Sequence, residues 1–119
     1  MSLPKTLAND PTRLRHMLEW AQTSERLAAR ETRISLDENV FLRLALTRTL
    51  QVIGEAANNV TAESRRLYPA IPWADIIGMR HKLVHVYYAV DLNVVWTTVS
   101  EYVPPLLVEL QRILEDEYH

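Results

Sequence analysis

The sequence predicts an all-α protein built as a bundle of four main helices and one short helix. Only two glycines, Gly54 and Gly78, occur among 119 residues, so the turn chemistry that sheets require is scarce. Apolar residues instead recur at the spacing of a helix face along most of the chain. The length suits one domain with a sizeable core, and residues 1–119 are assigned to it.

The first two helices are marked by polar residues that can cap them. Asp10 is expected to cap the first helix, with Pro11 at its first position, where the missing N–H has no partner to lose. This helix should run to about Arg30. Ser35 and Glu38 fit a capping box that would open the second helix. The second helix is apolar on two faces, which predicts a central position in the bundle.

The positions of glycine and proline predict a close contact in the second helix and the bounds of the next two helices. Gly54 lies inside the second helix, and glycine weakens a helix interior by roughly 1 kcal/mol relative to alanine. We therefore expect another backbone to approach Gly54 closely. Thr61 should cap a short third helix over 62–67, which Pro69 ends. A fourth helix opens at Pro72.

The last predicted helix is capped by Asp91, and its apolar stripe continues beyond Pro104 and Pro105. Because proline interrupts the helical bonding pattern, we expect a kink or a break at these two residues. The second helix, together with Trp96 and Tyr102, carries more apolar surface than one small bundle should need. This surplus indicates either an interface or a well-filled core.

Composition limits the classes of function. The chain has no cysteine, which excludes disulfides and thiolate metal sites and favours a reducing cytoplasm. No apolar run approaches the ~20 residues that a membrane span needs. The first residues lack the apolar stretch of a signal peptide. We therefore expect a soluble cytoplasmic protein with no membrane partner.

Charge is unevenly distributed on a chain whose formal net charge is −2. Residues 64–88 hold four basic side chains against one carboxylate, whereas residues 101–119 hold five carboxylates against one arginine. The net charge argues against general attraction to nucleic acid. The basic stretch fits a local site for a polyanion, and it also fits ordinary scatter of surface charge.

The segment RHKLVHVYY, which begins at Arg80, concentrates ionisable groups among apolar residues. His81 and His85 are four residues apart and would share a helix face, as zinc ligands can, although the sequence shows no obvious third ligand. A second interpretation is structural. In it, Arg80 pairs with Asp75 or Glu55 and the segment only holds two helices together.

A third interpretation is acid–base chemistry on a phosphodiester. Arg80 offers a permanent planar cation for a phosphate. His85 titrates near neutral pH and can exchange a proton with a ribose 2′-hydroxyl or with the leaving oxygen. Tyr87 could orient either group. On a continuous helix Arg80 and His85 lie about 140° apart. Both therefore reach one phosphate only if the helix ends near Val84 or if a second copy supplies a facing set.

The segment resembles the R-x4-H-x-Y signature of the HepT-like toxins in the HEPN superfamily, carried here by Arg80, His85 and Tyr87. Other short sequences typical of the family occur in the same order along this chain. GEAA lies in the second helix and PAIPW precedes the signature, while VD and VW come after it. The resemblance covers about residues 9–115, the expected ordered core. One position departs from it, because His81 follows the arginine where the family usually has asparagine.

The resemblance implies an HEPN-like helical bundle that forms a homodimer, with two motifs facing across a shared cleft. It implies a metal-independent endoribonuclease that uses no cofactor and leaves a 2′,3′-cyclic phosphate on its RNA substrate. By the same resemblance, Arg80 and His85 are the catalytic residues, and Tyr87 and His81 support them.

The resemblance also implies a type VII-like toxin–antitoxin pair. In such a pair a small nucleotidyltransferase antitoxin of the MntA type transfers AMP to the motif tyrosine, here Tyr87. Phosphate and adenine at that position would place negative charge beside Arg80 and fill the cleft that RNA needs. The alternative is a non-catalytic helical module that binds a nucleotidyltransferase or presents nucleotide to it.

Overall fold

The computed structural model describes residues 7–86 and 89–117, and for residues 7, 80–82, 84–86 and 89 it describes the backbone alone. A 3-10 turn at Leu7–Asn9 precedes the helices. In chain order these are α1 (Asp10–Ala28), α2 (Arg33–Glu38), α3 (Val40–Asn58), α4 (Ala62–Leu67), α5 (Trp73–Leu83), α6 (Leu92–Thr97) and α7 (Val103–Glu117). A π-helical turn at Thr98–Tyr102 joins α6 to α7, and strands β1 (Val84–Val86) and β2 (Ala89–Val90) form a small antiparallel hairpin after α5.

Helix α3 is the central helix, as predicted. It packs against both α1 and α5, while α7 packs against α1. Leu46, Leu50 and Ile53 on α3 are shielded almost completely from solvent. Burying each such side chain contributes about 1.5–3 kcal/mol. The order of elements confirms the predicted all-α bundle, to which the short hairpin is added. None of the helices in the described ranges combines the length and the apolar character needed to cross a bilayer.

The expectation that Asp10 caps α1 is wrong. The N-cap of α1 is Asn9, and no side-chain capping bond is made there. The carboxylate of Asp10 is fully buried and accepts hydrogen bonds from the backbone N–H of Thr61, at 3.0 Å, and from the hydroxyls of Thr61 and Ser64. A buried carboxylate requires such donors. Asp10 therefore ties the start of α1 to the start of α4.

The expected capping box at Ser35 and Glu38 is also wrong. Helix α2 begins earlier, with Thr32 as its N-cap, and the Ser35 hydroxyl accepts from the Thr32 N–H at 3.0 Å. Glu38 is the last residue of α2. The side chain of Asn39 then caps α3 by accepting from two backbone N–H groups of its first turn. Asn39 thus divides the predicted second helix into two helices.

Two caps predicted from the sequence are confirmed. The Thr61 hydroxyl accepts from the N–H of Ser64 at 3.2 Å and begins α4. The Asp91 carboxylate accepts from the N–H groups of Asn93 and Val94, at 3.1 and 3.2 Å, and begins α6. In both cases the donors lie two or three residues ahead, so local sequence is sufficient to predict the cap.

Pro104 and Pro105 lie in the first turn of α7 and do not end the helical path of the chain. The turn before them is π-helical, and the N–H of Val103 donates to the carbonyl of Thr98, five residues earlier. Neither proline has an N–H, so regular bonding to the preceding turn is lost and a wider turn takes its place. The expected irregularity therefore falls just before the prolines.

Gly54 is a point of close approach between α3 and α5. A Cβ atom built on Gly54 would lie 2.9 Å from the carbonyl oxygen of Ile76, which is shorter than real contacts of this kind. The predicted approach of another backbone is confirmed. Gly78 differs, because a Cβ atom there would meet nothing within 4 Å.

We expect Gly54→Ala to destabilise the protein by about 1–3 kcal/mol, because the added methyl group must displace a helix backbone. Gly78→Ala makes the same chemical change in a helix interior with open space, and it should stabilise by roughly 0.5–1 kcal/mol. Urea unfolding followed by circular dichroism measures both changes. Equal effects of the two substitutions would contradict the α3–α5 contact.

Candidate active site

Helix α5 carries the first part of the candidate site and is attached to the core along one face. Trp73 begins the helix, and its indole N–H donates to the carbonyl of Tyr68 at 3.0 Å. Ile76, Met79 and Leu83 are buried at the spacing of a helix face. Leu83 is the last residue of α5 and is fully buried. The end of the helix is therefore anchored in the core.

The candidate site residues divide between α5 and the hairpin. Arg80 and His81 lie in the last turn of α5, and His85 is the middle residue of β1. Since α5 ends at Leu83, the separation of about 140° that a continuous helix imposes on Arg80 and His85 does not apply. Tyr87 lies outside the described residues, so its supporting role stays a prediction.

His85 occupies an irregular position in the hairpin. Val84 pairs with Val90 and Val86 pairs with Ala89, so β1 has one more residue than β2 between these pairs. The additional residue is His85. Bulges of this kind turn a residue away from the regular pleat and are frequent beside active sites. The backbone of His85 thus leaves both the helix and the regular strand geometry.

The first turn of α6 is bonded directly to the end of α5. The N–H of Asp91 donates to the carbonyl of Leu83 at 3.1 Å. In the same turn, the side-chain oxygen of Asn93 accepts a hydrogen bond from Nε of Arg33 at 2.7 Å. Arg33 also bonds to Asp37 at 3.0 Å. A cation from α2 is thereby held beside α6. No sequence signal indicates it, because Arg33 and Asn93 are 60 residues apart.

A groove with a volume of about 680 Å³ lies between α5 and the segment from α6 to α7. Most of its lining is apolar, including Leu50 and Ile53 of α3 and Ile76 of α5. Tyr102 also lines the groove, and it is 62% exposed. Trp96 instead packs half-buried against the core. Tyr102 therefore adds to the surplus of apolar surface expected from the sequence, whereas Trp96 belongs mainly to the interior.

Two charge patterns that the sequence suggested near α5 differ in the structure: the grouping of the basic residues and the partner of Glu55. Arg65 and Arg66 belong to α4, while Arg80 lies seven residues beyond the start of α5, about 10 Å along its axis. The basic stretch of the sequence is thus divided between two elements. Glu55, a suggested partner of Arg80, forms an ion pair with Arg48 on its own helix at 3.3 Å.

Among the groove residues, Glu109 has a shifted ionisation. A hydrogen bond from the side chain of Arg112 lowers the pKa of the Glu109 carboxyl group, and the charge of Arg112 acts in the same direction. Asp75 is a second carboxylate in the lining. The groove is therefore an apolar channel with negative charge in its wall, and it does not resemble a cradle for phosphate.

Comparisons with known proteins agree on one family. The family model described as "Ribonuclease HepT-like" matches residues 17–113. "Probable ribonuclease HepT" from Thermococcus cleftensis is 41% identical over 71 residues, which are 60% of this chain and 64% of that protein. "Putative RNase TTE0752" from Caldanaerobacter subterraneus subsp. tengcongensis is 36% identical over 107 residues, which are 87% of this chain and 93% of that protein. No solved structure matches the chain.

The family model and the second relative both cover most of the helical bundle, including α5, the hairpin and the first turn of α6. The match to the Thermococcus protein spans less than two thirds of that protein's length. These matches and the all-α fold agree with the resemblance seen in the sequence. The chain belongs to the ribonuclease HepT-like family of HEPN-type proteins.

Proposed function

We propose that the chain is a metal-independent endoribonuclease toxin that acts on RNA in the cytoplasm, with Arg80 and His85 as its catalytic residues. The observation that carries the proposal is the end of α5 at Leu83, which releases His85 from the helix five residues after Arg80. The bulge at His85 adds a second departure from regular backbone. Membership of the HepT-like family supports an RNA substrate.

In the proposed reaction RNA supplies its own nucleophile. His85 accepts the proton of a ribose 2′-hydroxyl as that oxygen attacks the adjacent phosphorus, and a proton returned to the departing 5′-oxygen leaves a 2′,3′-cyclic phosphate. Arg80 stabilises the added negative charge on phosphorus with its planar cation. Tyr87 and His81 support the phosphate and the histidine. No metal or cofactor takes part.

We further propose that two copies of the chain form the site together. The groove beside α5 is mostly apolar and includes the exposed Tyr102, and exposed apolar surfaces often mark an interface. The motif begins in the last turn of α5. A second copy bound symmetrically to the groove would therefore place its own motif close to the first one. Sedimentation should give twice the mass of one chain, and a monomer at every concentration would contradict the shared cleft.

The protein should cleave single-stranded RNA in the presence of EDTA, and His85→Ala should slow cleavage by about 10²–10⁴-fold, the usual contribution of a general acid or base. Gel analysis of labelled RNA measures the rate, and end-group analysis identifies the cyclic phosphate. His16→Ala is the matched control, because His16 lies on α1 outside the motif. Its rate should equal that of the unchanged protein.

Equal cleavage by the unchanged protein and His85→Ala would refute the catalytic assignment. If RNA stays intact with the unchanged protein while a nucleotidyltransferase still binds it, the chain is the non-catalytic binding module instead.

We also propose that a small nucleotidyltransferase antitoxin of the MntA type controls this activity. It would transfer AMP from ATP to the phenolic oxygen of Tyr87 and release pyrophosphate. The modification would place a negative charge near Arg80 and occupy the space that an RNA phosphate needs. The support is the position of Tyr87 two residues after His85 in a HepT-like chain.

Incubation with such an antitoxin and ATP should raise the mass of the protein by one AMP group and abolish RNA cleavage. Tyr87→Phe should block the mass increase. Tyr88→Phe, the adjacent control, should leave it intact. Intact-mass measurement and peptide mapping provide both readouts, and modification of Tyr88 alone would contradict the assignment.

A further inference from the structure

We propose that Arg33 binds an RNA phosphate that flanks the scissile one, so that α2 extends the active site beyond the motif. This inference rests on the proposed ribonuclease function. It names a residue that lies outside the R-x4-H-x-Y signature and more than 45 residues before it in the chain.

A short series of bonds connects Arg33 to the motif segment. Nε of Arg33 donates to the side-chain oxygen of Asn93 at 2.7 Å. Asn93 lies in the first turn of α6, where its N–H donates to the Asp91 carboxylate at 3.1 Å. The N–H of Asp91 in turn donates to the carbonyl of Leu83 at 3.1 Å. Leu83 stands between Arg80 and His85 in the chain. Arg33 is therefore connected to the segment that carries the motif through three hydrogen bonds.

The guanidinium group of Arg33 has donors left for such a phosphate. An arginine carries five N–H donors in a planar fork that matches phosphate oxygens. Within the described part of the chain, the bonds to Asn93 and Asp37 engage two of them. The side chain is 33% exposed, so it is oriented by its neighbours and still open to solvent.

The ion pair between Arg33 and Asp37 is compatible with phosphate binding. It joins residues four apart on α2, and the Asp37 side chain is 58% exposed. Exposed pairs of this kind contribute little to stability, so a phosphate can replace Asp37 readily. The bond to Asn93 differs, because it fixes the guanidinium plane from another helix. If Arg33 only connected α2 to α6, the hydrogen bond to Asn93 would be required and the positive charge of the side chain would not.

The salt dependence of RNA binding distinguishes the two roles. The probe is a short 2′-O-methyl oligonucleotide of mixed sequence, which lacks the nucleophile and therefore stays intact. Between about 50 and 200 mM salt, Arg33→Gln should weaken binding and reduce the slope of log K against log salt by about 0.7, the value for one phosphate on a single strand. Arg33→Lys should keep the slope, and Asp37→Asn should tighten binding.

Arg48→Gln is the matched control, because Arg48 also forms an exposed ion pair, with Glu55 of α3. Its slope should equal that of the unchanged protein. The inference is overturned if Arg33→Gln keeps the full slope, if Arg48→Gln reduces it equally, or if the unchanged protein does not bind the probe. Circular dichroism checks that each variant is folded.

Cleavage of ordinary RNA separates this inference from the proposed function. If the unchanged protein cleaves RNA and Arg33→Gln keeps the full slope, the phosphate contact alone is wrong. If the unchanged protein cleaves nothing but Arg33→Gln still lowers the slope, the ribonuclease proposal is wrong and the phosphate contact stands.

Discussion

The close approach of Gly54 to the carbonyl of Ile76 is the constraint on which the rest of the site depends. It sets the separation of α3 and α5, because any side chain larger than hydrogen at Gly54 would meet the Ile76 backbone. Helix α5 packs against the central helix, and Ile76, Met79 and Leu83 form its buried face. The position of the motif follows from this contact, since the motif begins in the last turn of α5.

The end of α5 at Leu83 places Arg80 and His85 on two different elements. A continuous helix would separate Arg80 from His85 by about 140°. The chain instead leaves the helix after Leu83 and enters a hairpin whose irregular residue is His85. Val84, Val86 and Val90 have the β-branched side chains that favour such strands. After the hairpin, the N–H of Asp91 donates to the carbonyl of Leu83, and the Asp91 carboxylate caps α6.

The sequence predicted some of the features whose physical cause is local, although it missed the local caps at Thr32 and Asn39. Thr61 and Asp91 cap helices through donors two or three residues away, and both were predicted. Asp10 was misassigned because its donors, Thr61 and Ser64, lie more than 50 residues along the chain. The short hairpin was missed because RHKLVHVYY also fits a helical period.

The candidate site likewise combines residues that a local sequence pattern predicts with contacts that only packing creates. Arg80, His85 and Tyr87 were predicted from their spacing, which is a local pattern. Arg33 reaches Asn93 across 60 residues, and only packing brings the two together. The groove is likewise a product of packing, because its walls come from α3, α5 and the segment from α6 to α7. Asn93 also lines the groove, so the residue that bonds to Arg33 belongs to its wall.

The central claim is that α5, once docked on α3, presents a groove on which a second copy completes the ribonuclease site. Tyr102→Glu places a charge in that groove, and Val108→Glu is the control, since Val108 is also exposed, at 66%, and does not line the groove. Sedimentation and RNA cleavage should be measured on both variants. The account predicts a folded monomer without cleavage for Tyr102→Glu and an active dimer for Val108→Glu. A Tyr102→Glu monomer that cleaves RNA at the unchanged rate would contradict it.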